Sequence, residues 1–273
     1  MKISTIVLIT FFVLANILEA KGTSISDDNL YPQFCRKAAC HENVFINFKQ
    51  HPIYTNILEH LKYDQGKLYL KKILQQTPDF VDYFEIFREN DRYGNPITYY
   101  YDDYGVFSPT TLRYIKVASD LHLLFNDLSN MDIIEIGGGY GGLCKIIGDL
   151  SKYKSYTIVD LPEVLALVKK YLSRLGIKNV TLITLNEIPD EKNYDLVISN
   201  YAFTECVKSI QEVYFTKILR LSQRGYLTCN NFKSSDIWSK EMLLERLNSS
   251  GIAYKQLIEE PLTTENNYCI IWQ

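Results

Sequence analysis

Histidine is scarce in this chain and is missing from its second half. The four histidines all lie at or before residue 122 of 273. A histidine base is therefore excluded from the C-terminal half, and a carboxylate becomes the first candidate there for accepting a proton.

Cysteine is also sparse, and no two cysteines form a C-x-x-C pair. That absence argues against a structural zinc site. Cys35 and Cys40 are close enough in sequence to form a local disulfide. The other four fall on predicted core helices and strands, where free thiols behave as small hydrophobic side chains: Cys144, Cys206, Cys229 and Cys269.

Positive charge is not concentrated anywhere in the sequence. The net charge is −3, and no long stripe of lysine and arginine occurs. DNA and RNA are therefore not expected as the main substrates. Hydrophobic residues make up 47% of the chain and charged residues 22%, which is enough apolar side chain for a sizeable core.

An apolar run stands at the N-terminus. It extends from Ile3 to Leu18, follows Lys2 and precedes Ala20, which is the pattern of a secretory signal. The run is short for a membrane span, but it could still anchor the chain to a membrane. Residues 1–20 are therefore predicted to be separate from a mainly helical region, 21–130, and a final domain, 131–273.

Glycine is concentrated in one loop. Residues 135–142 read Glu-Ile-Gly-Gly-Gly-Tyr-Gly-Gly, between an apolar run and a helix-like segment. A strand, a tight glycine turn and a helix together place a nucleotide on the helix N-terminus. A second apolar run ends in Asp160, where a carboxylate can accept both hydroxyls of a ribose. These features predict a nucleotide cofactor.

Two cofactors fit the glycines. The G-x-G-x-x-G pattern of nicotinamide enzymes fits residues 137–142, and the E-x-G-x-G-x-G pattern of S-adenosylmethionine enzymes fits residues 135–141. Glu135 favours S-adenosylmethionine, because an acidic side chain there can reach under the loop to the amino-acid end of that cofactor. The Asp-Leu-Pro-Glu sequence at 160–163 points the same way, since it resembles small-molecule O-methyltransferases.

Strands and helices alternate from residue 132 onward. The predicted strands are 132–136, 156–160, 180–184, 195–199, 225–229, 254–258 and 268–272, and the predicted helices are 141–150, 163–175, 209–221 and 239–249. Such alternation predicts a parallel sheet covered by helices. The last two strands are joined by a short link, so the final strand is expected to be antiparallel. The predicted fold class is α/β: a Rossmann-like methyltransferase sheet with an N-terminal helical cap.

The cap is predicted from helical spacing of apolar residues over 44–61, 65–75 and 80–88. A hairpin or lid loop is expected around 97–105. Ser108 followed by Pro109 predicts the start of a further helix that runs to Phe125.

Four stretches resemble the bacterial sugar O-methyltransferases within the class I S-adenosylmethionine-dependent methyltransferases. They are residues 108–114, 135–143, 160–163 and 267–272. The resemblance implies transfer of a methyl group to a hydroxyl of a sugar or glycan precursor. Two alternatives remain: a nicotinamide-dependent oxidoreductase, and a non-catalytic protein of methyltransferase fold that is exported or anchored.

By position in this fold, the cofactor is expected to contact the glycine loop, the helix start at Ser108 and the ends of the neighbouring strands. The residues with this expectation are Glu135, Gly137, Gly138, Gly139, Tyr140, Gly141, Asp160, Leu161, Asn186, Asn200, Ser108 and Thr111. Glu135 and the loop would hold the methionine end, Asp160 the ribose and Leu161 the adenine. Asn186 could equally be an ordinary turn residue.

Three carboxylates are candidate bases. Glu205 follows the strand that faces the transferred methyl group in this fold, although it could equally be a first-turn carboxylate favoured by the helix dipole. Asp102 and Asp103 could supply a base or a Mg²⁺ site, but adjacent acids more often form a solvated turn, so no metal is predicted. The expected substrate-binding residues are Arg113, which could instead form a surface salt bridge, Tyr114 and Tyr201.

Two features of the sequence point to different cellular compartments. S-adenosylmethionine is a cytosolic cofactor, whereas the N-terminus resembles a secretory signal. The intact glycine loop and the four cysteines expected to be reduced favour a cytosol-facing enzyme, either cytoplasmic or associated with a membrane through the run from Ile3 to Leu18.

Overall fold

The computed structural model describes Ser24 and residues 29–273. The apolar run from Ile3 to Leu18 therefore lies outside the described residues. Within the described part, no helix is both long enough and apolar enough to cross a membrane.

Short helices and one hairpin build the N-terminal region. Its helices are α1 (Leu30–Cys40), α2 (Glu42–Phe45), α3 (Pro52–Ile57), α4 (Tyr63–Gln76), α5 (Phe84–Arg88) and α6 (Pro109–Phe125), and its hairpin joins β1 (Tyr99–Tyr101) to β2 (Gly105–Phe107). Three 3₁₀ turns, Phe48–Gln50, Pro78–Tyr83 and Glu89–Asp91, connect them. Helix α1 was not predicted.

The continuous helix predicted over 44–61 is wrong. The chain is broken at Pro52, where His51 adopts an extended conformation with φ −70° and ψ 134°. A proline cannot donate an intrahelical hydrogen bond, and it disfavours helical angles in the residue before it. Pro52 therefore starts the new helix α3. The predicted start of α6 is confirmed, because the Ser108 hydroxyl accepts a hydrogen bond from the Thr111 N–H.

Seven strands form the main sheet, and all seven were predicted. They are β3 (Asp132–Ile136), β4 (Ser155–Val159), β5 (Val180–Ile183), β6 (Tyr194–Asn200), β7 (Ser222–Cys229), β8 (Tyr254–Ile258) and β9 (Tyr268–Trp272), in the spatial order β5-β4-β3-β6-β7-β9-β8. Strand β9 lies between β7 and β8 and is antiparallel to both. The predicted fold class, a Rossmann-like methyltransferase sheet, is therefore confirmed.

The remaining helices connect these strands. They are α7 (Gly142–Leu150), α8 (Pro162–Arg174), α9 (Ala202–Glu205), α10 (Lys208–Lys217) and α11 (Lys240–Ser249), with 3₁₀ turns at Leu185–Glu187 and Leu219–Leu221. Helices α7, α8, α10 and α11 lie close to their predicted positions, whereas the short helix α9 was not predicted.

Both faces of the sheet are buried, but under different layers. Alternate side chains such as Ile133, Ile158 and Leu196 join a core that includes the N-terminal helices, α7 and α8. The intervening side chains, such as Ile134 and Val197, join a second core with α10 and α11. This alternation is the period-two pattern of a strand, and it makes the N-terminal cap one of the two layers of the domain.

The cysteines are free in the described part of the chain. Cys35 is buried and Cys40 is exposed, although both belong to α1. Residues five positions apart point in different directions on a helix of 3.6 residues per turn, so the local disulfide is not formed. The predicted free thiols are confirmed: Cys144, Cys229 and Cys269 are buried and Cys206 is half-buried.

The β7–β9 packing can be tested at Gly225. A Cβ there would lie 2.1 Å from Cη2 of Trp272, its partner across the two strands. We expect Gly225→Ala to lower the free energy of unfolding by about 1–3 kcal/mol, because a packed indole must move. Chemical denaturation measures this difference.

A matched control is available at Gly148 in α7. A Cβ there would be 3.5 Å from Tyr153 Cε1, an ordinary contact. Gly148→Ala is therefore expected to raise the free energy of unfolding by up to about 1 kcal/mol, the difference in helix propensity. Equal effects of the two substitutions would contradict the packing described.

Candidate functional site

The glycine loop leaves β3 with a backbone that other residues rarely adopt. Gly137 and Gly139 have φ values of 79° and 57°. A Cβ on Gly137 would also lie 2.2 Å from the Cβ of Ala202, at the start of α9. Glycine is needed at Gly137 for both reasons, and the loop consequently lies directly against the end of β6.

Asp160 joins the end of β4 to this loop. Its carboxylate accepts hydrogen bonds from the Gly138 N–H at 2.9 Å and from the Leu161 N–H at 2.7 Å. Burial raises the pKa of Asp160 to about 6, and the main-chain hydrogen bonds oppose that shift. A carboxylate can accept about four hydrogen bonds. The remaining capacity of Asp160 suits the hydroxyls of a ribose, the role predicted for it.

Glu135 is buried on β3. Its side chain is 3% exposed, and it accepts a hydrogen bond of 2.9 Å from the hydroxyl of Tyr156 on β4. Burial raises the pKa of the carboxyl to about 8, although the Tyr156 hydrogen bond acts in the opposite direction. Glu135 is thus engaged within the sheet, and its contact with the amino-acid end of a cofactor stays a prediction.

Tyr140, in the loop, is fully buried against the cap. The Lys49 ammonium lies 3.9 Å from the centre of its ring, and the Asn90 side-chain amide donates to its hydroxyl at 3.2 Å. Lys49 also donates to the Asn90 main-chain oxygen at 2.8 Å. Burial lowers the pKa of Lys49. Because the Tyr140 side chain is enclosed in this way, its main chain is the part left to contact a ligand.

The start of α6 lies beside the same cluster. The hydroxyls of Ser108 and Thr111 each donate to the Asp91 carboxylate at 2.7 Å, and Thr111 also accepts from Asn90 at 2.9 Å. Both side chains are therefore on the glycine-loop edge of the sheet, as predicted. Their hydroxyls are already paired within the protein, and their contact with a cofactor stays a prediction.

A water-sized cavity of about 20 Å³, whose lining residues are mostly polar, lies at the carboxyl ends of β6 and β7. It is lined by Tyr69, Arg113, Tyr114, Lys116, Val117, Asn200, Tyr201, Tyr226, Thr228 and Glu259. The Asn200 oxygen accepts from the Thr228 hydroxyl at 3.2 Å, but the Asn200 amide nitrogen is buried without a hydrogen-bond partner. Unpaired buried donors are rare in native proteins and cost about 1–3 kcal/mol. The cavity therefore offers an unused donor to a ligand.

Tyr201 is held in an unusual backbone conformation at the mouth of β6. Its φ is 69° and its ψ is −36°, a region that costs a non-glycine residue free energy and is often found at functional sites. Its hydroxyl donates to the Glu259 carboxylate and lies 2.8 Å from the Thr263 hydroxyl. Tyr69 of α4 contacts the same threonine at 2.9 Å. Glu259 was missed in the sequence, because it stands in the β8–β9 connection outside any motif.

The three predicted bases lie away from this cavity lining. Glu205, at the end of α9, accepts a hydrogen bond of 2.8 Å from Asn230. Asp102 and Asp103 are exposed in the turn of the β1–β2 hairpin, and Asp103 has a φ of 66°. Tight turns between strands place their side chains in solvent, which is why these acids do not reach the sheet edge. Among the described residues, no group of acids, histidines and cysteines could hold a metal ion.

Two further predicted cofactor residues occupy the edges of the site. Leu161 is half-buried at the start of α8, and Asn186 is exposed in the 3₁₀ turn Leu185–Glu187. Of the predicted substrate residues, Arg113, Tyr114 and Tyr201 all line the cavity. Their proximity could not be read from sequence spacing, because Tyr201 is far along the chain from α6.

One curated relative connects the chain to methyltransferases. It is the protein-L-isoaspartate O-methyltransferase of Pyrococcus horikoshii, which is 31% identical over 85 residues. The match covers 30% of this chain and 39% of that enzyme, so it spans less than half of either. No family model matches the chain. The similarity supports a relationship to the class I methyltransferases and S-adenosylmethionine as the cofactor. It does not support the predicted membership of the bacterial sugar O-methyltransferase subfamily.

Solved structures of similar shape add little beyond this. A protein of Thermoplasma acidophilum has 15% identity and a TM-score of 0.45, with 71% of this chain and 95% of that chain covered. The methyltransferase domain of bacterial CtHen1 has 14% identity and a TM-score of 0.44, with 59% and 97% covered. A protein of Pyrococcus horikoshii has 12% identity and a TM-score of 0.47, with 59% and 88% covered. The strand order remains the stronger basis for the fold.

The burial of Glu135 predicts a pH dependence of stability. An acid whose pKa is raised from 4.5 to about 8 stabilises the fold fully below pH 4.5, and this contribution is lost as the pH rises through 8. Glu135→Gln should remove roughly 3–5 kcal/mol of that decline, at about 1.4 kcal/mol per pKa unit. Denaturation of both proteins from pH 5 to 9 measures the difference in slope.

Comparison of the two proteins reports on Glu135. Asp160 also has a raised pKa and titrates in both proteins; because its charge helps to raise the Glu135 pKa, the difference reports Glu135 together with this coupling. Parallel stability curves for the wild type and Glu135→Gln would show that the carboxyl of Glu135 is ionised at neutral pH despite its burial.

Proposed function

We propose that this chain is an S-adenosylmethionine-dependent methyltransferase that methylates a hydroxyl of a sugar or glycan precursor. The observation that carries the proposal is the adjacency of the glycine loop, Asp160 and the polar cavity at one edge of the sheet. In open α/β sheets, ligands bind at the carboxyl ends of the strands. A cofactor on the loop would therefore border the cavity.

The residues present fit this cofactor. The positive φ values of the loop and the N-terminus of α7 suit a close main-chain contact, and Asp160 keeps acceptor capacity for a ribose. When bound, the cofactor supplies an electrophilic methyl group on a sulfonium. The strand order disfavours the nicotinamide alternative, since the usual dinucleotide sheet runs 3-2-1-4-5-6 in parallel, whereas here β9 is inserted antiparallel.

An oxygen acceptor is supported by the cavity and by the relative. The cavity is lined by tyrosines, a threonine, Asn200 and Glu259, a set of hydrogen-bonding groups suited to one hydroxyl of an acceptor that enters at this edge. The relative is by name an O-methyltransferase. Within this proposal Glu259 replaces Glu205, Asp102 and Asp103 as the candidate base, because its carboxylate lines the cavity and theirs do not.

The proposed place of action is the cytosolic side. A cytosolic cofactor requires the folded domain to face the cytosol, whether or not the run from Ile3 to Leu18 holds the chain at a membrane. This run precedes the described residues, so the proposal rests on the cofactor.

Measurement of cofactor binding tests the proposal that the cofactor is S-adenosylmethionine. We expect the wild type to bind S-adenosylmethionine and not NADH in calorimetry. Asp160→Ala should weaken binding by about 1.5–3 kcal/mol, the value of hydrogen bonds to a charged group. Asp190→Ala is the control, because this carboxylate is 84% exposed and pairs with Lys217 on the surface. A chain that bound NADH alone would overturn the assignment.

An assay of methyl transfer tests the proposed acceptor and the proposed base. With radiolabelled cofactor and a panel of sugars and lipid-linked glycans, we expect at least one acceptor to be labelled. Glu259→Gln should keep cofactor affinity and lose about 100-fold or more in turnover, the usual contribution of a general base. A larger loss in Glu205→Gln would return the role to Glu205.

A further inference from the structure

Two groups of opposite charge beside the glycine loop, the buried Arg113 and the half-buried Glu59, form no salt bridge within the described part of the chain. Arg113 is 7% exposed, and among the described residues no carboxylate lies within 4 Å of its guanidinium. Its hydrogen bond to the Leu58 main-chain oxygen is long, at 3.4 Å. One carboxylate oxygen of Glu59 is buried without a hydrogen-bond partner, while the Thr110 side chain hydrogen-bonds to the same carboxyl group. Burying a charge in this way costs several kcal/mol unless a partner is supplied.

Both groups lie where the cap meets the glycine loop. The Leu58 side chain would be 3.1 Å from a Cβ on Gly139, and the Tyr114 hydroxyl would be 3.6 Å from it. Glu59 follows Leu58, and Arg113 precedes Tyr114. Along the chain, Glu59 and Arg113 are therefore each next to a residue whose side chain covers Gly139.

The neighbouring charges are already satisfied. Lys49 donates to the main chain of Asn90, and Asp91 accepts three hydrogen bonds from the start of α6. Glu135 is hydrogen-bonded within the sheet. Burial raises the pKa of Glu59, while Lys49, a hydrogen bond from Thr110 and Arg113 favour its ionised form. Among these groups, Glu59 and Arg113 are the ones left for a ligand that carries both signs of charge.

We propose that Glu59 and Arg113 bind the amino-acid end of the cofactor, with Arg113 on the α-carboxylate and Glu59 on the α-ammonium. The inference rests on the proposed function. It assigns to Glu59 of the cap the contact with the amino-acid end of the cofactor that was predicted for Glu135. It also makes Arg113, which was predicted to bind substrate, a cofactor-binding residue. A guanidinium can bind a carboxylate through two parallel hydrogen bonds, and a zwitterion would neutralise both groups at once.

Two ligands separate this role from the rest of cofactor binding. S-adenosylhomocysteine carries both the amino and the carboxylate group, and 5′-methylthioadenosine keeps the adenosine and the sulfur but lacks both. In calorimetry the full chain should bind the first more tightly. Glu59→Gln and Arg113→Gln should each weaken S-adenosylhomocysteine roughly tenfold to a hundredfold, as expected for lost charge-assisted bonds. Binding of 5′-methylthioadenosine should change by less than about threefold.

Changes in the ligand give a second test, which compares the wild type with the two variants. Removal of only the carboxylate from S-adenosylhomocysteine should weaken its binding to the wild type, and Arg113→Gln should then bind this analogue as well as the wild type does. Glu59→Gln should behave in the same way toward the analogue without the amino group. Such matched losses identify which side chain meets which group.

Two control variants and three contrary results complete the test. Glu241→Gln and Arg220→Gln change exposed residues of the same types and should bind both ligands normally. Equal weakening of both ligands by Glu59→Gln and Arg113→Gln would overturn the proposal, because it would show an effect on the fold. Unchanged S-adenosylhomocysteine binding in both variants would also overturn it. A wild type that binds neither ligand would remove the proposed function itself.

Discussion

The ammonium group of Lys49 has no access to solvent, and its surroundings fix the cap on the sheet. It donates to the Asn90 main-chain oxygen and lies over the ring of Tyr140. The same oxygen accepts from the Tyr171 hydroxyl of α8 at 2.7 Å. A buried ammonium is tolerated when such partners surround it. The 3₁₀ turns of the cap, the glycine loop and α8 are thereby held in one arrangement.

That arrangement determines what covers the glycine loop. With Tyr140 turned into the cap, Leu58 and Tyr114 are placed over Gly139, and Arg113 is placed at the cavity beside Tyr201. The site is consequently built by two parts of the chain. The sheet supplies the loop, Asp160 and Asn200, while the cap and the β8–β9 connection supply the charges and hydroxyls that face them.

Local signals predicted much of this structure. Most strands were predictable because they are apolar runs bounded by turn residues. The start of α6 was predictable because Ser108 and Pro109 favour that position. Helix α1 and the break at Pro52 were missed, since short helices in the cap are stabilised by packing more than by propensity. Glu59 and Glu259 were missed because neither stands in a motif.

The sequence by itself determined the sheet, its antiparallel last strand and the glycine loop with Asp160, because these depend on neighbouring residues and on period-two burial. Tertiary structure alone decided which charged groups meet at the site. Glu59, Arg113 and Glu259 belong to separate parts of the chain, and their meeting depends on how the cap packs on the sheet. Burial decides whether a charge is solvated or needs a partner, and burial at these positions exists only in the folded chain.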